Sequence, residues 1–193
     1  MFYWFCWHLC RTVLLLLRRW EVKGAENIPP SGGLIVAANH SSYWDPVVCG
    51  CMIGRRIYFM AKAELFRIPV LKTIITAWGT FPVHRETFDR EAIRTALGHL
   101  KAGRVVGMFP EGTRSKSGEL QKPHYGVALV ALKGGVPILP VALIGTKGVL
   151  GKVRVRVGKP LAFPEYAGKK PSKEALEEIS NRVMGEIGTL LKA

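Results

Sequence analysis

The chain of 193 residues has the length of one domain, and hydrophobic residues make up 48% of it, which excludes a disordered tail or linker. Lys and Arg total 28 against 14 Asp and Glu, a formal charge of +14 that indicates an anionic partner: nucleic acid, an acidic membrane surface, a phosphorylated substrate or an acidic protein. Four cysteines are too few for a disulfide-built fold. Their spacing matches no zinc site, so we expect free, reduced thiols.

The first 20 residues predict an amphipathic helix in a membrane interface. Arg11 interrupts the apolar run, so no uncharged stretch of about 18 residues could span a bilayer. Basic and polar side chains share one arc of the helix: His8, Arg11, Thr12, Arg18 and Arg19. We expect a membrane-associating helix over residues 1–20, with its arginines reaching lipid phosphates, followed by one domain over residues 21–193. The alternative is a helix packed on the core of that domain.

From Glu21 onward, short β-branched runs alternate with helical patterns, which predicts an α/β fold. The predicted strands cover Leu34–Ala38, Ile57–Met60, Gly79–Val83, Arg104–Phe109, Pro137–Ile144 and Val153–Val157. The predicted helices cover Pro46–Ile53, Pro69–Ala77, Thr87–Ala102, Tyr125–Lys133 and Ser172–Leu191. Because the early strands are nearly continuous apolar runs, we expect a single layered domain with a mostly parallel or mixed sheet flanked by helices.

A histidine and an aspartate follow the apolar strand Leu34–Ala38 directly. His40 and Asp45 are joined by a four-residue turn, which allows one imidazole nitrogen to donate to the carboxylate while the other faces a substrate. This spacing predicts a catalytic pair at the carboxyl end of a buried strand, where α/β sheets usually place their sites. The alternative is structural, because Asp45-Pro46 is also a typical helix start.

Cations follow three other predicted strands, and the clearest is in the loop Phe109–Ser115. Gly112 permits a backbone conformation closed to other residues, and successive N–H groups of such a loop can bind an anion. Arg114 offers a planar fork for two phosphate oxygens. Lys62 and Arg85 come after the other two strands. The alternative for this loop is a solvated turn in which Glu111 pairs with Arg114.

These motifs resemble those of the glycerolipid acyltransferase family, in particular the bacterial 1-acyl-sn-glycerol-3-phosphate (lysophosphatidic acid) acyltransferases. Asn39-His40 with Asp45 matches the N-H-x-x-x-x-D block, and Phe109–Ser115 matches F-P-E-G-T-R-S letter for letter. Residues 79–85 and 136–141 match the second and fourth blocks, in the family order.

The resemblance implies that an acyl group passes from a thioester, acyl-carrier protein or coenzyme A, to the free sn-2 hydroxyl of lysophosphatidate, giving phosphatidic acid. His40 would be the general base and Asp45 its orienter. The residues implied to bind phosphate and glycerol are Lys62, Arg85, Glu111, Gly112, Thr113 and Arg114. A wall of the acyl pocket is assigned to Val136, Pro137, Ile138 and Pro140, for which plain core is the alternative.

No metal or bound cofactor is expected, because carboxylates and histidines are not clustered at ligand spacing. Aromatic residues concentrate near the amino terminus rather than among the lysines, which argues against a nucleic-acid partner. We expect lysophosphatidic acid, an acyl thioester and an anionic membrane surface as partners, at the cytoplasmic face of the cell membrane. Another lysophospholipid or glycerol 3-phosphate is an alternative acceptor. A non-catalytic, basic lipid-binding protein is the alternative from a different class.

Overall fold

The computed structural model describes residues 2–84, 88–148, 150–166 and 168–193. Its strands are β1 Glu21–Lys23, β2 Leu34–Ala38, β3 Ile57–Lys62, β4 Phe81–Val83, β5 Val105–Met108, β6 Ile138–Ile144 and β7 Arg154–Val157. Its α-helices are α1 Phe2–Arg18, α2 Asp45–Met52, α3 Pro69–Ala77, α4 Arg90–Lys101, α5 Gly126–Gly134 and α6 Lys173–Lys192. Short 3₁₀ turns cover Ala25–Asn27, Ala63–Arg67 and Pro164–Tyr166.

The predicted elements from β2 onward are present, with shifts at their ends. The predicted helix Thr87–Ala102 corresponds to α4, which begins at Arg90 because the Asp89 carboxylate accepts a hydrogen bond from the Ala92 N–H at 2.9 Å. Thr87 itself lies outside the described residues. Strand β1 was not predicted, because it has three residues and no apolar run.

The seven strands form one mixed sheet in the order β1-β7-β6-β2-β5-β3-β4. The strands β6, β2, β5, β3 and β4 run parallel, whereas β7 is antiparallel to β6, and β1 pairs parallel with β7. All five residues of β2 are buried, as expected for a central strand covered on both faces. The loops after the five parallel strands therefore leave the sheet at one edge, here called the carboxyl edge.

Helices cover both faces of the sheet. On one face, α1 and α2 enclose a core that includes Leu14, Val36 and Val48. On the other face, α4, α5 and α6 enclose a second core that includes Ala96, Val127 and Ile179. The crossovers from β2 to β3 and from β3 to β4 move in the same direction, so right-handed connections place α3 on the face of α1 and α2.

The amino-terminal helix α1 is attached to the domain by its basic arc. Arg18 is 1% exposed, and its guanidinium donates to the carbonyl oxygens of Gly145 at 2.6 Å and Gly148 at 2.7 Å in the loop between β6 and β7. Arg11 donates to the Cys51 carbonyl at 3.0 Å. The prediction that these arginines reach lipid phosphates is therefore wrong for Arg18, which is buried among carbonyl groups that need hydrogen-bond partners. For the half-buried Arg11 it stays a prediction.

Many apolar side chains of α1 face outward, although Tyr3 and Leu14 are buried. Among the described side chains of the helix, six large apolar ones are exposed: Trp4, Phe5, Leu9, Leu15, Leu16 and Leu17. The helix thus combines both interpretations of the sequence, with a packed inner side and an apolar outer side. Within the described ranges, no helix has the length and apolar character needed to cross a membrane.

Candidate active site

His40 and Asp45 meet in the turn between β2 and α2. The His40 Nδ1 atom lies 2.9 Å from Asp45 Oδ2, with the Asp45 side chain fully buried and that of His40 12% exposed. The same oxygen accepts the backbone N–H groups of Ser41 at 2.6 Å and Ser42 at 2.7 Å. These donors stabilise a buried carboxylate, which in turn orients the imidazole. The other ring nitrogen, Nε2, has no hydrogen-bond partner among the described residues.

Aromatic rings cover one side of this imidazole. The His40 ring stacks on Phe109 with a centroid distance of 4.0 Å and an interplanar angle of 16°. Phe109 stacks in turn on Phe59, at 5.9 Å and 12°. Phe59 lies over Gly107 of β5, where a Cβ atom would overlap the Phe59 ring. The stack therefore covers one face of the His40 ring and restricts its rotation.

Glu111 connects the turn of His40 with the loop after β5. Its side chain is 2% exposed, and its two oxygens accept the N–H groups of His40 at 2.7 Å and Gln121 at 3.0 Å. The Ser115 N–H donates to the His40 carbonyl at 2.7 Å. No ion pair joins Glu111 to Arg114 in the part of the chain that the structure describes. Glu111 therefore braces the backbone of His40, while its predicted contact with substrate stays a prediction.

A third loop, after β6, supports the same turn. The Ser42 hydroxyl donates to the Thr146 carbonyl at 3.0 Å, and the Ser41 and Thr146 hydroxyls lie 3.3 Å apart. The Asn39 side chain pairs with the backbone of Leu143 through two bonds, of 2.7 and 3.0 Å. These roles of Asn39 and Thr146 were not predicted, although the position of Asn39 directly after a buried strand was a usable signal.

Two of the predicted phosphate ligands, Lys62 and Arg114, lie at the same edge and are exposed. Lys62 ends β3, its side chain is 48% exposed, and its Nζ lies 3.0 Å from the Glu64 carboxylate. Arg114 donates to the Tyr43 hydroxyl at 2.9 Å, and its guanidinium carbon lies 3.6 Å from the centroid of that ring. Thr113 is exposed. Arg85 lies outside the described residues.

Gly112 requires its glycine. Its φ of 68° is left-handed, and a Cβ atom there would come within 2.7 Å of the His124 ring. His124 is exposed and had not been singled out in the sequence. Its N–H donates to the Pro110 carbonyl at 2.8 Å, so it is attached to the same loop.

The residues assigned to the acyl pocket do not meet His40. Val136 and Pro137 precede β6 and line an apolar cavity of about 230 Å³ with Phe163 and Tyr166. Because β6 is parallel to β2, this cavity lies at the edge of the sheet opposite to His40. Ile138 and Pro140 are buried within β6 itself. Their placement favours the alternative of plain core, and a role in acyl binding stays a prediction.

The thiols near the site are poor nucleophiles. Burial, and then the Asp45 carboxylate, raise the pKa of Cys49 well above its ordinary value. Burial also raises the pKa of Cys51 to about 12. All four cysteines are free. Within residues 2–84, 88–148, 150–166 and 168–193, no cluster of three or more His, Cys, Asp or Glu side chains could hold a metal ion.

An α/β sheet with a His/Asp pair and exposed cations at its carboxyl edge suits an enzyme that performs acid–base chemistry on an anionic substrate. The family model described as Acyltransferase matches residues 19–144, and the chain belongs to this acyltransferase family. This confirms the resemblance found in the sequence.

Named relatives and a solved structure agree with this assignment. The chain is 31% identical to the 1-acyl-sn-glycerol-3-phosphate acyltransferase of Bacillus subtilis (strain 168), over 97% of this chain and 96% of the relative. It is 34% identical to the enzyme of that name from Borreliella burgdorferi, over 65% of this chain and 51% of the relative. The crystal structure of the 1-acyl-sn-glycerophosphate (LPA) acyltransferase from Thermotoga maritima matches with a TM-score of 0.76 and 28% identity, over 98% of this chain and 80% of that one. The predicted fold class is confirmed.

Proposed function

We propose that this chain is a 1-acyl-sn-glycerol-3-phosphate acyltransferase, which moves a fatty acyl group from an acyl thioester to the free sn-2 hydroxyl and gives phosphatidic acid. The observation that carries the proposal is the imidazole of His40. It is oriented by the buried Asp45 carboxylate through a bond of 2.9 Å. Its Nε2 has no hydrogen-bond partner among the described residues, and Lys62 lies at the same edge of the sheet, as does Arg114. The names of the relatives support the choice of substrate.

In the proposed reaction His40 is the general base. Its Nε2 takes the proton of the sn-2 hydroxyl as that oxygen attacks the thioester carbonyl. The new C–O bond forms, the C–S bond breaks, and the imidazolium returns its proton to the leaving thiolate. Asp45 stabilises the imidazolium while it exists.

Transfer is proposed to be direct, without an acylated protein. The Ser41 and Ser42 hydroxyls contact Thr146 rather than His40, and Cys49 is buried with a raised pKa. The substrate hydroxyl therefore takes the position that a serine has in a hydrolase. Sequential kinetics, and no acyl-protein after denaturation with donor alone, are the expected results.

The phosphomonoester is assigned to the cations of the carboxyl edge. It carries close to two charges near neutral pH and can contact several cations at once. Lys62 and Arg114 are exposed there, and Arg85 is proposed to join them. Thr113 and Gly112 contribute the loop backbone.

The donor is acyl-carrier protein or acyl-coenzyme A, without a metal or bound cofactor. A formal charge of +14 suits an acidic carrier and an anionic bilayer equally. The exposed apolar side of α1 is proposed to lie in the interface at the cytoplasmic face of the membrane, as a peripheral attachment.

One assay tests the proposal. Purified protein in detergent receives lysophosphatidate, lysophosphatidylcholine or glycerol 3-phosphate, each with both acyl donors. We expect phosphatidic acid from lysophosphatidate and little product from the other acceptors. Equal turnover of lysophosphatidylcholine, or a preference for glycerol 3-phosphate, would contradict the proposed acceptor.

A further inference from the structure

We propose that α3 is a second membrane-contact element, and that it inserts its apolar side into an anionic bilayer beside α1. The inference rests on the proposed function only in that a lysolipid acceptor resides in a bilayer. It depends otherwise on the surface of the helix itself.

The domain covers helix α3 only in part. All nine of its residues, Pro69–Ala77, are described, and none of them is buried. Val70 is 72% exposed and Ile74 46%, and a spacing of four residues places both on the same side of the helix. Ile68, directly before the helix, is 52% exposed.

An exposed stripe of this kind needs a partner. A helix of a soluble domain normally turns its apolar stripe toward the core, and a helix this short is not stable by itself in water. Helix α6 differs, because its outward positions include Glu177, Glu178 and Arg182. Contiguous apolar surface on the outside of a protein marks an interaction site.

Aromatic contacts join the end of α3 to α1. Trp78 follows α3 directly, and its ring lies edge-to-face against Tyr3 of α1, with centroids 6.2 Å apart. Tyr3 contacts Trp4 at 5.2 Å, and Trp4 is 43% exposed. The two helices lie on the same face of the sheet, so one flat surface can contact both. Tryptophans at this junction suit a position at headgroup depth.

The charges around α3 indicate which kind of partner its exposed side contacts. Lys72 on the helix and Arg67 before it are exposed. Between residues 62 and 78, Glu64 is the one acidic residue of the sequence, and it pairs with Lys62 at 3.0 Å. A basic rim around apolar side chains is complementary to anionic lipid. It opposes a second copy of this chain, which would bring two formal charges of +14 together.

Vesicle binding by the full chain, without substrate, tests the inference. We expect the variant Val70→Asp/Ile74→Asp to lose about tenfold or more in partitioning to vesicles of phosphatidylcholine and phosphatidylglycerol. The matched control Asn181→Asp/Thr189→Asp adds the same two charges to exposed positions of α6, and should bind like the wild type. Since α3 has no buried residue, circular dichroism should show both variants folded.

A second variant tests the same inference if the first variant fails to fold. Lys72→Glu should lose about fivefold or more on the anionic vesicles and almost nothing on phosphatidylcholine alone. Unchanged partitioning of both α3 variants would overturn the proposal. So would sedimentation data showing a dimer of the wild type that the α3 variants dissociate while vesicle binding stays the same. Binding through α3 by a protein that transfers no acyl group would support this inference and contradict the proposed function.

Discussion

The turn that carries His40 lies at the same edge of the sheet as the exposed cations Lys62 and Arg114, here called the rim. The structure holds the turn and the rim in different ways. The Asp45 side chain is fully buried, and its Oδ2 accepts three hydrogen bonds. The Lys62 side chain is 48% exposed and meets one carboxylate. Tyr43, which contacts Arg114, is 75% exposed.

This difference fits the roles proposed for the two parts, a general base in the turn and phosphate binding by the cations. A general base needs a fixed ring, and hydrogen bonds to a charged group contribute about 1.5–3 kcal/mol each toward fixing it. An anion attracts exposed cations over several ångströms without a fixed geometry, and an exposed ion pair such as Lys62–Glu64 contributes only about 0–1 kcal/mol. Substitutions in the turn should therefore change the rate of the chemical step, and substitutions in the rim should change substrate binding.

The largest effect is expected for His40→Ala. It removes the proposed base, so kcat should fall by about 10²–10⁴-fold while the fold is retained. The control His99→Ala removes a histidine near the opposite edge of the sheet, stacked on Tyr58, and should keep most of the turnover. Activity of His40→Ala above about a hundredth of wild type would contradict the proposed mechanism.

Glu111→Ala should come next, and it should affect both rate and stability. Removal of the carboxylate leaves the partly buried N–H groups of His40 and Gln121 without an acceptor, at a cost of up to about 1–3 kcal/mol each. Urea unfolding should show this loss, and kcat should fall because His40 shifts. A stable variant that has lost only lysophosphatidate affinity would show that Glu111 binds substrate instead of bracing the turn.

Arg114→Ala should raise the KM for lysophosphatidate by about ten- to a hundredfold, because a charge-assisted contact is lost. Arg114→Lys should rescue it in part, since it retains the charge without the fork. Tyr43→Phe is the control, because it removes the hydroxyl that Arg114 contacts and retains the ring. If lysophosphatidylcholine suffers the same loss at fixed salt, Arg114 supports the loop rather than the phosphate.

The smallest effect is expected for Lys62→Ala, a rise in KM of about fivefold or less that shrinks as salt increases. The partner variant Glu64→Gln releases Lys62 from its ion pair and should leave the KM equal or lower. If Lys62→Ala lost as much kcat as His40→Ala, the distinction between turn and rim would be wrong, because an exposed cation would take part in the chemical step.

The elements of this fold were predictable where the signal is local. The strand Leu34–Ala38 has the predicted bounds because five successive apolar residues fit a strand buried on both faces. The pair His40–Asp45 was predictable because four intervening residues suffice to bring the two side chains together. Both inferences depend on neighbouring residues alone.

The missed features depend on distant partners. Arg18 contacts the carbonyl of Gly145, which lies 127 residues later in the chain. Helical periodicity does not predict such a contact. Glu111 turns inward to an N–H that lies 71 residues earlier in the chain. The position of Val136 and Pro137 relative to His40 required the direction of β6, which the apolar run does not reveal.

The aromatic rings stacked on His40 connect its orientation with the interior of the sheet. Gly107 leaves room for Phe59, Phe59 stacks on Phe109, and Phe109 stacks on the imidazole. A single methyl group at position 107 would displace the first ring and pass its displacement to the next two. The packing of β5 thus limits position 107 to glycine, although two aromatic rings separate this position from His40.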